Sequence, residues 1–200
     1  MLENVVVYHI GVEDYSMIIL IDGTFGVGKT SVINEIKKQY VGKRKLEVLE
    51  SDNYFQQYLH KKKEEARREN RFLAIGGSLP QNNIGFLEEY KNVIFNKSQD
   101  SIVISDMALT MSECKVRIHD YFETKNMIHI ILEADKDTIQ KRIKADGNPH
   151  RDKLLAEERL DEFIDFLSKN YKNAIRISTE YKGVVDIAKE ILDIIDNNTY

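Results

Sequence analysis

The apolar run Met17-Ile18-Ile19-Leu20-Ile21-Asp22 breaks abruptly into Gly23-Thr24-Phe25-Gly26-Val27-Gly28-Lys29-Thr30-Ser31, and no other feature constrains this chain as strongly. Glycines at 23, 26 and 28 let the backbone curl with its N–H groups inward and leave no side chain to block a polyphosphate. A helix that starts near Lys29 points its positive end at the same anion. Lys29 then reaches the β- and γ-phosphates, and the Thr30 hydroxyl serves as a ligand to magnesium. Gly23 to Ser31 therefore reads as a binding loop for ATP with Mg2+. Its surroundings agree: Ile18–Ile21 is a strand, and Lys29–Tyr40 places Val32, Ile33, Ile36 and Tyr40 on one helical face, with Gly42 as the stop. A glycine-rich turn without a ligand leaves the lysine and the hydroxyl residue unexplained.

The rest of the chain alternates strand and helix, the signature of a parallel sheet covered on both faces. Further strands are expected at Leu46–Leu49, Ile102–Ile104, Ile128–Leu132 and Ala174–Ile177. Helices are expected over Asn53 to about Ile75, Ile84–Asn96, Glu113–Phe122, Lys136–Ala145, Leu154–Lys169 and Val184–Ile195. The predicted fold is an α/β three-layer sandwich with a five-stranded parallel sheet. Residues 17–200 form its one domain, and residues 1–16 are an extension in which Asn4–Ile10 reads as a short extra N-terminal strand. Two hundred residues suffice for a single core.

A net charge of −4 argues against nucleic acid or an anionic membrane as partner. One cysteine, Cys114, excludes an internal disulfide, and no Cys/His spacing suggests zinc. No basic-then-apolar leader and no membrane-length apolar run are visible, so a soluble, cytoplasmic protein is expected, as a monomer or homodimer.

Four further residues carry candidate chemistry. Asp52, in Glu50-Ser51-Asp52, follows the second strand and reaches the carboxyl edge of the sheet, where open α/β sheets place ligands. There it can take the proton of an attacking hydroxyl, or Ser51 or Asp52 can cap the helix that follows. Asp106 ends Ile102-Val103-Ile104-Ser105-Asp106 as an acid delivered by a hydrophobic strand beside the magnesium site. Arg142 and Arg151 bracket Gly147-Asn148-Pro149 and can close over the phosphates, although Arg142 can also pair with Asp146 one helical turn later. The segment Asp146–Lys153 is expected to be a lid. The run His60 to Arg68 reads as a solvated mixed-charge helix face, or as a lid over an anionic acceptor.

With these residues placed, the chain resembles the P-loop kinase group that holds nucleoside, gluconate and shikimate kinases and antibiotic phosphotransferases, and within it the tunicamycin-resistance proteins. The likeness rests on Met17–Thr30, Val103–Leu109, Leu132–Ile143 and Leu160–Asp165, and it spans residues 17–195. It implies a small-molecule phosphate acceptor, built largely by residues 53–100, and places Ser178 and Thr179 near the adenine. Where many such kinases carry a second lid arginine this chain has Asp146, which leaves Arg151 to supply that charge or leaves the lid weakly catalytic. The resemblance also permits an ATP-binding resistance protein that sequesters its target, or a toxin kinase acting on a sugar nucleotide. A GTPase needs Asn-Lys-x-Asp after a strand, and Asn96-Lys97-Ser98-Gln99-Asp100 misses that spacing.

The phosphate loop makes one expectation sharp. Lys29→Ala should weaken Mg·ATP binding by at least about tenfold, the scale of one lost charge-assisted hydrogen bond, as read by calorimetry on folded protein.

Overall fold

The computed structural model describes residues 17–73, 79–147 and 153–198. Its five strands are β1 (Met17–Asp22), β2 (Lys45–Leu49), β3 (Ser101–Ser105), β4 (Met127–Glu133) and β5 (Ile175–Ser178). They form one sheet in the order β2-β3-β1-β4-β5, every pairing parallel. β1 lies at the centre, with Ile18 opposite Val103 on one side and Met127 on the other. A central parallel strand is covered on both faces, so all six of its residues are buried and its sequence is an unbroken apolar run up to Asp22.

Because successive side chains alternate, the central strands feed two separate cores. Met17, Ile19, Ile21, Ile130 and Leu132 pack on α1 (Lys29–Gln39), through Val32, Ile33 and Ile36, and on α9 (Val184–Asn197), through Ile187, Ile191 and Ile195. Ile18, Leu20, Val103 and Ile131 face the other layer, built from α2 (Ser51–Arg68), α3 (Ile84–Ser98) and α8 (Leu160–Asn170). That layer is aromatic: Phe55 and Phe86 meet edge to face at 5.0 Å, and Phe86 stacks on Tyr90 at 5.3 Å. Such pairs add about 0.5–1.5 kcal/mol each beyond the area they bury. A third small cluster joins α6 (Lys136–Ala145) to α7 (Lys153–Glu158) and α8 through Ile139, Ile143, Ala156 and Leu160.

The expected architecture is observed, strand for strand. The helices differ in three places. α2 starts at Ser51 and ends at Arg68, well short of Ile75, because Asn70 turns left-handed at φ 49°. The Arg71 N–H then bonds the Ala66 carbonyl at 3.0 Å and the Asn70 N–H bonds that of Arg67 at 3.3 Å, a Schellman ending. The expected Leu154–Lys169 helix is two, α7 and α8, broken at Arg159. Glu113–Phe122 is a short α4 (Ser112–Cys114), a π turn over Lys115–His119 and α5 (Asp120–Glu123). The expected N-terminal strand Asn4–Ile10 lies outside the described residues, as do Arg151 and most of the expected lid. No helix among the described residues is long and apolar enough to cross a membrane.

Two glycines seat the loop between β1 and α1. Gly23 has φ 139°, and a Cβ there would come 2.6 Å from the Leu132 carbonyl oxygen. Gly26 has φ 75°, and its Cβ would come 2.9 Å from Ile143 Cγ1 of α6. Gly23→Ala must therefore move the backbone of β4, on top of the ~1–2 kcal/mol of left-handed strain. Thermal unfolding should show it losing more stability than Gly26→Ala, whose neighbour is a flexible side chain; both should melt at least about 2–4 °C below wild type.

Candidate functional site

The site grows from the carboxyl edge of β1, β2 and β3. β1 delivers Asp22 and the loop, and α1 begins immediately afterwards with Gly28, at φ 107°, as its left-handed N-cap. The Lys29 ammonium folds back across the loop, donating to the carbonyls of Gly23 at 2.7 Å and Thr24 at 3.1 Å. It thus stands over the concavity that the three positive-φ glycines create, with the N-terminus of α1 behind it. Thr30 and Ser31, in the first turn of α1, are exposed.

Asp106 follows β3 and is tied to the end of β2. Its Oδ1 accepts the Ser51 N–H at 2.7 Å, and its own N–H bonds the Leu49 carbonyl at 3.4 Å. Burial raises its carboxyl above the ordinary value; the Ser51 backbone and hydroxyl and the Lys29 ammonium pull it back, and Asp52 pushes it up again. Asp106 and Asp52 thus follow β3 and β2 at the same sheet edge where the loop carrying Lys29 follows β1. α2 starts at Ser51 with Glu50 as its cap residue, and the Glu50 side chain makes no capping bond. Asp52 sits exposed in the first turn, where a negative charge suits the helix dipole.

Arg142 is placed differently from a residue waiting in a lid. Its guanidinium donates to the Val27 carbonyl at 3.2 Å, the Thr179 hydroxyl at 2.8 Å and the Thr179 carbonyl at 2.9 Å. It latches the phosphate loop to the segment after β5. Thr179 is buried, and its N–H bonds the Glu133 carbonyl at 2.8 Å. Ser178 and the loop residue Thr24 line one cleft with Glu133, Asp135, Ile164 and Arg176. Phe25 leaves the loop toward α8, its ring 5.6 Å from that of Phe163.

The oxygen donors at hand, the Thr30 hydroxyl and the Asp106 carboxyl close to Lys29, have the chemistry that suits magnesium. A second cluster, His119, Asp120 and Glu123, could also ligate a cation, but Lys115 already donates to both Asp120 oxygens at 2.7 and 2.9 Å. Cys114 is buried and its thiol is pushed up to about 12 by that burial, which removes it as a nucleophile at neutral pH.

Two polar residues here escaped the sequence reading. Tyr90 of α3 is buried and donates to the Leu49 carbonyl at 2.8 Å, with Ser105 Oγ 2.9 Å away, so it fastens the ends of β2 and β3. Burial drives its phenol well above the ordinary value. Nothing in the sequence marks it among ten tyrosines. Asp22 is wholly buried and bonds three partners, and its signal was the single acid that ends an apolar strand.

Comparison with known proteins agrees with this geometry. The sequence pattern of the AAA domain matches residues 19–165. The chain belongs to the AAA domain family. No curated protein matches it by sequence. Among solved structures, this AAA domain is similar to the tunicamycin resistance protein of Deinococcus radiodurans, with 23% identity, 90% of this chain and 95% of that one covered, and a TM-score of 0.63. The APS kinase of Mycobacterium tuberculosis gives 15%, 90%, 98% and 0.59, and a gluconokinase from Sinorhizobium meliloti 1021 gives 14%, 92%, 93% and 0.57. The AAA domain thus has the P-loop kinase-like fold that the sequence resemblance implied.

Asp106 yields a pH prediction. Its folded-state pKa is raised, so its stabilising contribution is full below the unfolded value and is lost as pH rises through the folded one. At neutral pH the ionised side chain is a net cost. Asp106→Asn keeps an oxygen for the Ser51 N–H and should melt about 2–4 °C above wild type at pH 7.5, a gap that closes towards pH 4 in a calorimetric pH series.

Proposed function

We propose that this protein is an ATP-dependent phosphotransferase that moves the γ-phosphoryl group of Mg·ATP to a hydroxyl of a small molecule, such as a nucleoside, sugar or antibiotic. The observation that carries the reading is the Lys29 ammonium folded across a loop of three positive-φ glycines at the start of α1, with Asp106 and Asp52 following the next two strands of the sheet edge. A phosphate-binding lysine, a strand-end acid and a second carboxylate on the acceptor side are the parts that positional phosphoryl transfer requires.

In this mechanism Lys29 leaves the carbonyls of Gly23 and Thr24 for the β- and γ-phosphate oxygens, while the loop N–H groups and the start of α1 hold the rest of the polyphosphate. Thr30 and Asp106 would hold magnesium, which would neutralise phosphate charge. Asp52 takes the acceptor hydroxyl's proton as the new O–P bond forms and the β–γ bridging oxygen departs on ADP. Arg142 keeps the loop and the Ser178-Thr179 segment in register on the side assigned to the adenine. Arg151, outside the described residues, is proposed to meet the transition-state charge on the leaving phosphates.

The fold shared with the Deinococcus radiodurans tunicamycin resistance protein supports a second reading, an ATP-binding protein that sequesters an antibiotic without phosphorylating it. Mass spectrometry separates the two, since only transfer adds a phosphoryl group to the acceptor. Once a screen with Mg·ATP has found that acceptor, Asp52→Asn should still bind ATP and turn over about a hundredfold or more slowly. Wild-type turnover in that variant would remove Asp52 from the chemistry.

A further inference from the structure

Asp22 stands directly beneath the phosphate loop, with none of its surface exposed. Its Oδ1 accepts two backbone N–H groups, that of Gly23 at 2.6 Å and, at 3.0 Å, that of Leu109, which lies eighty-seven positions from Asp22 in sequence. Its Oδ2 faces His129 Nε2 of β4 at 3.2 Å. A side chain that only capped its own turn would bond Gly23 and stop there.

The Leu109 peptide is held from both sides. Its N–H goes to Asp22, and its carbonyl accepts from the Tyr171 hydroxyl at 2.9 Å. Residues 106–111 run from β3 to α4 without strand or helix of their own, so side chains hold them. The Cys114 thiol on the Met111 carbonyl at 3.0 Å is another such tie. The segment begins with Asp106, which feels Lys29. Behind Asp22, the rings of His119, His129 and Tyr171 pack with centroids 4.6–5.0 Å apart, which leaves this link little room to shift.

We infer that Asp22 is a positioning residue for phosphoryl transfer: one buried carboxyl group locks the first glycine of the phosphate loop to the segment that carries Asp106, and so keeps the nucleotide and the metal acid in register. The inference rests on the function proposed above, in which Asp106 holds magnesium. Asp22 touches neither nucleotide nor acceptor; it acts through Gly23 and Leu109. Its loss therefore changes how strongly magnesium and ATP assist each other's binding, more than it changes how the loop grips phosphate alone.

Calorimetry of ATP binding with Mg2+ and with EDTA provides the test, alongside thermal unfolding of each variant. In wild type the ratio of the two affinities should be about tenfold or more. Asp22→Ala should bring that ratio close to one while holding the affinity in EDTA within about threefold, and Asp22→Asn, which keeps an oxygen for both N–H groups, should restore most of it. Tyr171→Phe keeps the ring and frees the Leu109 carbonyl, so it should lower the ratio about threefold even if Asp22→Ala does not fold. A wild-type ratio in both Asp22→Ala and Tyr171→Phe would overturn the inference. So would equal weakening with and without Mg2+ accompanied by a lower melting temperature, since that is ordinary loss of structure. If wild type binds no ATP at all, the proposed function falls and takes this inference with it; if wild type shows the magnesium effect and the variants retain it, only the role of Asp22 falls.

Discussion

The carbonyl oxygen of Leu132 lies so close to Gly23 that no side chain fits between them, and the rest of the site depends on that approach. It forces the chain leaving β1 into a conformation L side chains rarely adopt, and it presses the phosphate loop onto β4 while Gly26 presses it onto α6. The loop is therefore a rigid part of the sheet edge. Anion-binding N–H groups held this way need no reordering when charge arrives, which is how positional catalysis keeps its reorganisation cost low.

Around that fixed loop, charge is arranged by strand order. With β1 between β3 and β4, the acid after β3 emerges beside the lysine of the loop, while β2 at the edge delivers Asp52 one strand further out. In the function proposed above, that three-strand span would set a sequence of roles: phosphate, metal acid, then acceptor. On the other side, β4 and β5 supply α6 with Arg142 and the Thr179 segment, and the guanidinium joins them to Val27. Each half of the sheet edge has its own tie to the loop, Asp22 on one side and Arg142 on the other.

Most of the fold was legible because it is carried by local patterns. Short apolar stretches between turn-forming or charged residues marked the five strands, and the three-to-four-residue spacing of Val32, Ile33 and Ile36 marked α1. What failed was termination and interruption. Asn70 was a legible left-handed stop that the charged run before it masked, and the break at Arg159 leaves no glycine or proline to see. Within the site, residues with a motif of their own could be named in advance. Tyr90 and Tyr171 could not, since their partners lie 41 and 62 positions away, and Asp22 showed only as the acid ending an apolar strand, its bond to Leu109, 87 positions away, being visible in the packed sheet alone. The sequence offered Arg142 either as an arginine that closes over the phosphates or as a partner of Asp146; folding gives it Thr179, again a distant partner.

The π turn over Lys115–His119 has an evolutionary and an engineering consequence. A π turn holds one residue more than an α turn, so it resets the angular frame of everything after it by about 100°. In this chain the reset turns His119 and Phe122 inward, both buried, while Tyr121 and Glu123 face out. Excising a single residue here to tidy the helix would leave its sequence almost unchanged and its hydrogen bonds more regular. It would also swing Phe122 out of the core and withdraw the His119 ring from the floor beneath the phosphate loop. The irregular turn is the indexing step that lets a short surface helix reach the chemistry.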